Sequence, residues 1–321
     1  MAIVKLSKLS KRFKKISAVD SLSFQIEEGE IFGLLGPNGA GKTTTVKMLA
    51  TLLEPTSGSA SVNGYDVCTQ PSKVRESIGI VFQEPSTDEL LTGYENLKLH
   101  ALIYGIPSSE RGRRIDDALE LVELTERKDD PVKTYSGGMR RRLETARGLL
   151  HRPKILFLDE PTLGLDPRGR STMWKYITRL VKELDMTILL TTHYMEEADS
   201  LADRICIIDH GKSVTLDTPE KLKQKVGGDI VTIEADSPQI DKIRKLKFIK
   251  KIERKDGEYL LTVEDAASNL QQILKLIGRV DCVEVRRPTL EDVFIKYTGR
   301  GLEQAEGSWF DKIVQENANK Q

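Results

Sequence analysis

The stretch "GPNGAGKT" (36–43) does most to narrow what this chain can fold into. It fits the pattern G-x-x-x-x-G-K-[ST] and follows "IFGLL" (31–35), a short apolar run that reads as a buried strand. After it comes a helical pattern with Val46, Leu49, Ala50 and Leu53 on one face. Glycines let a backbone wrap closely round a polyphosphate and point its N–H groups inward. Lys42 adds a positive charge for the outer phosphates, and the Thr43 hydroxyl can reach a phosphate-bound Mg²⁺. Strand, glycine-rich turn and helix in that order imply an α/β layer with a mostly parallel sheet.

Other segments fit the same layer. "ESIGIVFQ" (76–83), "KILFLDE" (154–160) and "TILLTTH" (187–193) read as further short strands, and "RICIIDHGKSVTLD" (204–217) as a hairpin turning at His-Gly. Ahead of the phosphate loop, "MAIVKLSKL" and "SLSFQIEEGE" alternate like strands of a small β layer. Residues 93–104 and 113–124 read as helices separated by "GIPSSERG", inside a helical insert at about 84–150. In "ILFLDEPT" the strand delivers Asp159 to the sheet edge, where a carboxylate can hold Mg²⁺ directly or through water. Glu160 projects differently and could orient or deprotonate an attacking water. Taken alone, the Asp-Glu pair reads as a helix cap on a solvated edge; beside the phosphate loop it reads as chemistry. Gln83 and His193 also stand at strand ends, where ligand crevices form, although either residue alone is weak testimony. A second anion cradle opens at "YSGGMRRR" (135–142), where Ser136, Gly137 and Gly138 begin a helix. The arginines that follow carry no individual nucleotide assignment, since one or two should lie on solvated faces or pair with acids such as Glu144.

After "TPEKLKQKVGG" the pattern changes to strand (229–235), helix (238–247), strand (248–254), strand (258–264), helix (266–278), strand (280–286) and helix (288–297). The order β-α-β-β-α-β is ferredoxin-like, and its second helix places Leu270, Ile273, Leu274 and Ile277 on one face. The expected division is therefore 1–220, a linker at 221–228, an accessory domain at 229–300 and a tail at 301–321. In that tail Trp309, Phe310, Ile313 and Val314 could form one apolar turn, read as a loosely docked end rather than an anchor. Lys+Arg and Asp+Glu are both 49, which gives no pointer to nucleic acid. Cys68, Cys206 and Cys282 form no Cys-x-x-Cys or Cys/His cluster. No apolar run approaches a bilayer span and no signal-peptide core is visible, so a membrane step would fall to another polypeptide.

The succession GPNGAGKTT, FQ, SGGM…R, ILFLDEPT, GLD, TTH resembles the nucleotide-binding subunit of ABC transporters over about residues 1–220. "YSGGMRRRLE", "TTHYMEEAD" and "PTLEDVFIKYTGR" make it most similar to the ATPase subunits of daunorubicin-resistance-type exporters, extending the likeness to nearly residue 300. The resemblance implies a P-loop NTPase (ABC ATPase) domain with antiparallel β and helical subdomains, followed by the small α+β ferredoxin-like domain. It implies that Gly36, Asn38, Gly39, Gly41, Lys42, Thr43 and Thr44 bind ATP. Phe13, in "KRFKKISAV", would stack on adenine where tyrosine is usual, the other reading being an amphipathic loop residue. Thr43, Asp159 and Gln83 would hold Mg²⁺, with Gln83 also sensing the γ-phosphate. Glu160, His193 and Gln83 would form the catalytic set, His193 holding the γ-phosphate and the water.

Two copies would pack head to tail, so that Ser136, Gly137 and Gly138 of one meet the ATP held by the other, with Asp166 linking the two sites. The departures are Tyr135 for leucine and Met139 for glutamine in the signature, and Leu163 for a small polar residue. The implied partners are separate integral membrane permease subunits and a second copy of the chain, with no nucleic acid. The implied place is the cytoplasmic face of the cell membrane, as a peripheral protein. Membrane contact would use the groove beside Gln83 and "EPSTDELLTGYENL", with Leu90, Leu91 and Tyr94 expected to be exposed. The implied function is export of a drug-like or other hydrophobic substrate. The rivals are a soluble ABC ATPase clamping DNA or ribosomes, which lacks support from tandem nucleotide domains or a zinc module, and an ATP-binding module without turnover. The presence of Glu160 and His193 speaks against the latter.

Overall fold

The computed structural model describes residues 1–299 except 85, 236–239, 256–257 and 278–279. The expected apolar turn at Trp309–Val314 lies outside the described residues. The chain begins with β1 (Ala2–Phe13) and β2 (Ile16–Glu27), then β3 (Ile31–Leu35), α1 (Lys42–Leu49), β4 (Ser57–Val62) and β5 (Tyr65–Asp66). It continues with α2 (Pro71–Ser77), β6 (Ile78–Val81), α3 (Gly93–Ile103), α4 (Ser108–Leu121), α5 (Gly137–Leu149) and β7 (Ile155–Asp159). Next come α6 (Pro167–Leu184), β8 (Thr187–Thr192), α7 (Met195–Leu201), β9 (Arg204–Asp209) and β10 (Lys212–Asp217). The last stretch holds α8 (Pro219–Gln224), β11 (Asp229–Glu234), α9 (Ile240–Ile243), β12 (Ile249–Lys255), β13 (Glu258–Val263), α10 (Ala266–Ile277), β14 (Cys282–Arg286) and α11 (Leu290–Thr298). Two compact units result, one closing at Leu216 and the other opening at Asp217.

In the first unit, β2-β1-β4-β5 form an antiparallel sheet whose alternating residues, Val4, Leu6, Val19, Phe24 and Ile26 among them, are buried. The larger sheet runs β10-β9-β3-β8-β7-β6 and is parallel from β9 through β6. Its central strands are buried on both faces, so they read as unbroken apolar runs. Ile155 and Phe157 of β7 face one core together with Phe32 and Leu34, whereas Leu156 and Leu158 face another with Leu143, Ile177 and Leu180. Because β3, β8 and β7 are neighbours pointing the same way, their C-terminal ends deliver Gly36, His193 and Asp159 to one edge.

Three expectations shift. The strand expected at 76–83 is only β6, because α2, with proline at its start, runs straight into Ile78; Gln83 thus lies two residues past the strand. The helix expected at 113–124 is α4, which starts at Ser108 because Pro107 presets the entry and leaves "GIPSSERG" only half loop. The expected linker at 221–228 is partly taken up by α8, whose Leu222 is fully buried and which packs against α11.

The second unit has strand order β12-β13-β11-β14, antiparallel throughout, with the first strand of the set paired on both sides. That is the ferredoxin-like arrangement. Val231, Ile233, Leu261 and Val263 of the sheet pack with Ile273 and Ile277 of α10, while Leu270 packs at the margin. The helix expected over 238–247 appears, within the described residues, as the short α9.

Candidate active site

At the shared edge the glycine loop is held close to its surroundings. Gly36 N–H donates to the Thr192 carbonyl at 3.3 Å, and Gly39 and Gly41 have φ of 80° and 103°. A Cβ on Gly41 would stand 2.4 Å from the Ala18 oxygen, so only glycine fits there. Asn38 and Gly39 are exposed at the tip, and Thr43 and Thr44 are half-buried at the helix start. Lys42 is buried, with Nζ donating to the Gly36 and Pro37 carbonyls at 2.7 and 3.2 Å. The same ammonium stands 3.2 Å from Glu160 Oε1.

Asp159 is 1% exposed, and its Oδ1 accepts from the hydroxyls of Thr43 (3.1 Å) and Thr191 (2.6 Å). Its Oδ2 is buried and accepts no hydrogen bond. A bare carboxylate oxygen is costly in a dry site, and a cation beside the Thr43 hydroxyl would satisfy it. This donor set therefore fits Mg²⁺ shared with phosphate oxygens. Among the described residues no group of three His, Cys, Asp or Glu gathers as a cluster that would hold a metal alone.

Glu160 departs from the strand with φ of 51°, held there by its N–H on the Thr191 carbonyl and hydroxyl, both at 3.1 Å. This left-handed step is why its side chain projects away from that of Asp159. His193 Nδ1 lies 3.3 Å from Glu160 Oε1, near enough for charge pairing but not aligned as a hydrogen bond. Burial alone would raise the Glu160 carboxyl; the His193 ring and the Lys42 ammonium outweigh it and hold the group below the usual carboxylate range. Lys42, Thr43, Asp159, Glu160 and His193 are thus brought together. Gln83 is exposed beyond β6. Phe13, 44% exposed at the end of β1, presents its ring to solvent with Lys11 Nζ 5.4 Å from the centroid.

The signature residues gather elsewhere. Ser136 caps α5, its hydroxyl accepting from Met139 N–H at 3.3 Å, and Ser136 and Gly137 are exposed. Ser136, Gly137, Gly138, Met139, Leu165 and Asp166 are among the residues lining a cavity of about 490 Å³ that none of Lys42, Asp159, Glu160 or His193 lines. Asp166 caps α6 by accepting from Gly169 N–H at 2.8 Å. One chain therefore carries two separate clusters, a phosphate loop with carboxylates and a serine-glycine cradle.

The departures acquire physical reasons. Tyr135 is 4% exposed and donates its hydroxyl to the Arg127 carbonyl at 2.6 Å, so it anchors the helical region rather than touching the cavity. Leu163 leaves its loop intact because that turn is closed by backbone, Leu163 N–H on Glu160 O and Leu165 N–H on Thr162 O, at 3.2 and 3.1 Å. Of the residues expected to be exposed for membrane contact, Leu90 is 78% exposed, whereas Leu91 and Tyr94 are half-buried. Tyr94 packs on the core, and the Leu91 carbonyl accepts from Val132 N–H. Two of the signature arginines pair with acids, as expected, although not with Glu144: Arg140 pairs with Glu89 and Arg142 approaches Glu123, while Glu144 pairs with Arg147 at 2.8 Å. Arg141 is buried against backbone carbonyls at the ends of β6 and β7, a placement that sequence reasoning missed. Glu197 is a second omission: fully buried, it accepts from the Thr162 hydroxyl (2.7 Å) and the Trp174 indole (3.1 Å) and so ties the loop after Glu160 to the helix after His193.

The chain is also similar to known proteins. A family model described as ABC transporter matches residues 19–163, and one described as ATP-binding protein DrrA1-3-like, C-terminal domain, matches residues 218–298. The chain is 40% identical to the daunorubicin resistance ATP-binding protein DrrA2 of Streptomyces coeruleorubidus, over 94% of this chain and 97% of that protein. It is 38% identical to the Nod factor export ATP-binding protein I of Burkholderia thailandensis, over 94% and 99%. A solved dimeric ATP-binding cassette in a post-hydrolysis state, bound to ADP and Pi, superposes with a TM-score of 0.61 at 28% identity, covering 67% of this chain and 98% of that one.

Proposed function

The chain belongs to the ATP-hydrolysing subunits of ABC transporters, in the branch with a DrrA-like C-terminal domain, and we propose that two copies sandwich two ATPs to drive export through separate membrane-spanning subunits. The observation that carries this reading is the buried meeting of Lys42, Thr43, Asp159, Glu160 and His193 at one sheet edge, apart from the Ser136–Asp166 cavity. A phosphate tail entering the loop meets the glycine-rich backbone and the start of α1, and Lys42 turns from Glu160 to the outer phosphates. That exchange releases the Glu160 carboxylate, still ionised, to orient or deprotonate the attacking water. His193 holds the γ-phosphate from the other side. Thr43 and Asp159, with Gln83 reaching in, would hold Mg²⁺, which when bound neutralises charge on the phosphate oxygens. Phe13 supplies a face for the adenine.

Ser136, Gly137 and Gly138 of the second copy complete the γ-phosphate site, and Asp166, beside them in the cavity, links the two ATP sites. Membrane attachment then comes from the partner subunits, since among the described residues no helix is long and apolar enough to cross a bilayer. The cargo is drug-like or otherwise hydrophobic, as the names of the resistance relatives imply for those proteins. The test is turnover and assembly. The purified chain should hydrolyse MgATP, and Glu160→Gln should lower the rate roughly 100-fold or more while driving dimer formation at saturating MgATP in light scattering. A variant that binds ATP yet stays monomeric with its membrane partner present would sink the sandwich.

A further inference from the structure

Arg141 lies on the second turn of α5, five positions after Ser136, and is 9% exposed. Among the described residues, every hydrogen-bond partner of its guanidinium is a main-chain carbonyl. Nε donates to Pro161 O at 3.0 Å, and Nη2 to Asp159 O and Glu160 O at 2.7 and 2.9 Å. Nη1 donates to Phe82 O and, at 3.5 Å, to Gln83 O. One planar fork thus binds two chain segments, the end of β7 that carries both carboxylates and the stretch after β6 that carries Gln83. One turn further along the same helix, Glu144 accepts from Ser86 N–H (2.7 Å), Thr87 N–H (2.6 Å) and the Ser86 hydroxyl (3.2 Å). Arg147 supplies its counter-charge. α5 therefore grips Phe82, Gln83, Ser86 and Thr87 with a donor and an acceptor, and grips residues 159–161 with the same donor. A guanidinium suits this task because its donors are fixed in one plane, whereas an ammonium offers a single point charge on a flexible stem.

We propose that Arg141 is a positioning residue for hydrolysis: it locks Glu160 and the Gln83 segment to the helix that begins at Ser136. Movement of that helix start when it closes on a partner copy's nucleotide is then passed to this chain's own carboxylates, although Arg141 touches no phosphate. The proposal rests on the sandwich reading given above, and it adds a defined link between the two half-sites of one chain.

The experiment compares Arg141→Lys and Arg141→Gln with the parent in the full-length chain. Affinity for a fluorescent ATP analogue is measured alongside steady-state turnover, with kcat expressed per chain able to bind nucleotide, so that partial unfolding does not enter the comparison. Analogue affinity should stay within about twofold of the parent, because the phosphate loop is untouched, while kcat falls about 10–100-fold at nearly constant KM. Arg141→Lys, which keeps the charge without the fork, should still show most of the loss. A kcat within about twofold of the parent in Arg141→Lys, or affinity and kcat falling in equal proportion, would overturn the proposal. A parent that binds ATP but shows no turnover would instead remove the reading beneath it.

Discussion

Gly93 and Tyr135 offer a quantitative test of how the unusual signature residue is accommodated. Gly93 opens α3 behind the Thr92 cap, and it is buried with ordinary helical backbone, so alanine is compatible with its conformation. A Cβ there would stand 2.4 Å from the Tyr135 hydroxyl, well inside contact distance, with the ring Cζ at 3.4 Å. Neither group can give way easily, because the hydroxyl is tied to the Arg127 carbonyl at 2.6 Å. Gly93→Ala should therefore cost about 1–3 kcal/mol of overpacking, offset by about 0.5–1 kcal/mol from the better helix former.

Tyr135→Phe removes the obstructing oxygen and by itself costs about 0.5–1.5 kcal/mol for one hydrogen bond, since the Arg127 carbonyl keeps its other donor, Asp130 N–H at 3.1 Å. In that background Gly93→Ala should be neutral or slightly stabilising, which gives a coupling of about 1–3 kcal/mol between the two positions. Urea unfolding of the four proteins in the cycle measures it directly. A coupling below about 0.5 kcal/mol would refute the packing account.

Two further outcomes follow from the site's chemistry. Burial raises the Glu197 carboxyl above its usual range, against the lowering effect of its hydroxyl and indole donors. The folded chain then holds this proton more tightly than the unfolded chain, so the group's contribution is complete below the ordinary carboxylate range and lost as pH rises through the folded value. Glu197→Gln should raise Tm relative to the parent at about pH 8 and bring no gain near pH 4, and equal shifts at both would contradict this. At the adenine face, Phe13→Leu should raise KM for ATP about 2–10-fold while Phe13→Tyr leaves it nearly unchanged, a difference set by the lost ring stacking. An unaltered KM in Phe13→Leu would place the base elsewhere.

Much of this architecture was legible in the sequence because its signals are local. The glycine pattern before Lys42 and the apolar runs ending at Asp159 and His193 place their residues wherever a parallel sheet puts its strand ends, with no need to know the distant partners. The ferredoxin-like order of the second unit followed from strand and helix periods alone. α6 was not read, although Met173, Tyr176, Ile177 and Leu180 recur at helical spacing, because the intervening Arg, Lys and Thr residues hide that stripe from a search for apolar runs. Arg141 and Glu144 were not readable. α5 is buried on almost every side from Leu143 onward, so its charged residues lie inside and no amphipathic face marks them. Their roles depend on which carbonyls and amides the sheet brings alongside, and that is information about strand order rather than about α5. The same holds for Leu91 and Tyr94, whose burial comes from the returning segment around Val132.

The central claim is that Lys42 of one copy and Ser136 of another serve the same ATP. Subunit mixing tests it most directly, with Lys42→Ala and Ser136→Arg variants each purified as nearly inactive proteins. In a mixed head-to-tail dimer, one site carries both lesions and the other carries neither, so an equal mixture should recover about a quarter of the parental sites. ATPase activity well above that of either variant alone is the predicted result. A mixture no more active than the average of its two components would contradict a shared site and place phosphate loop and signature within a single chain.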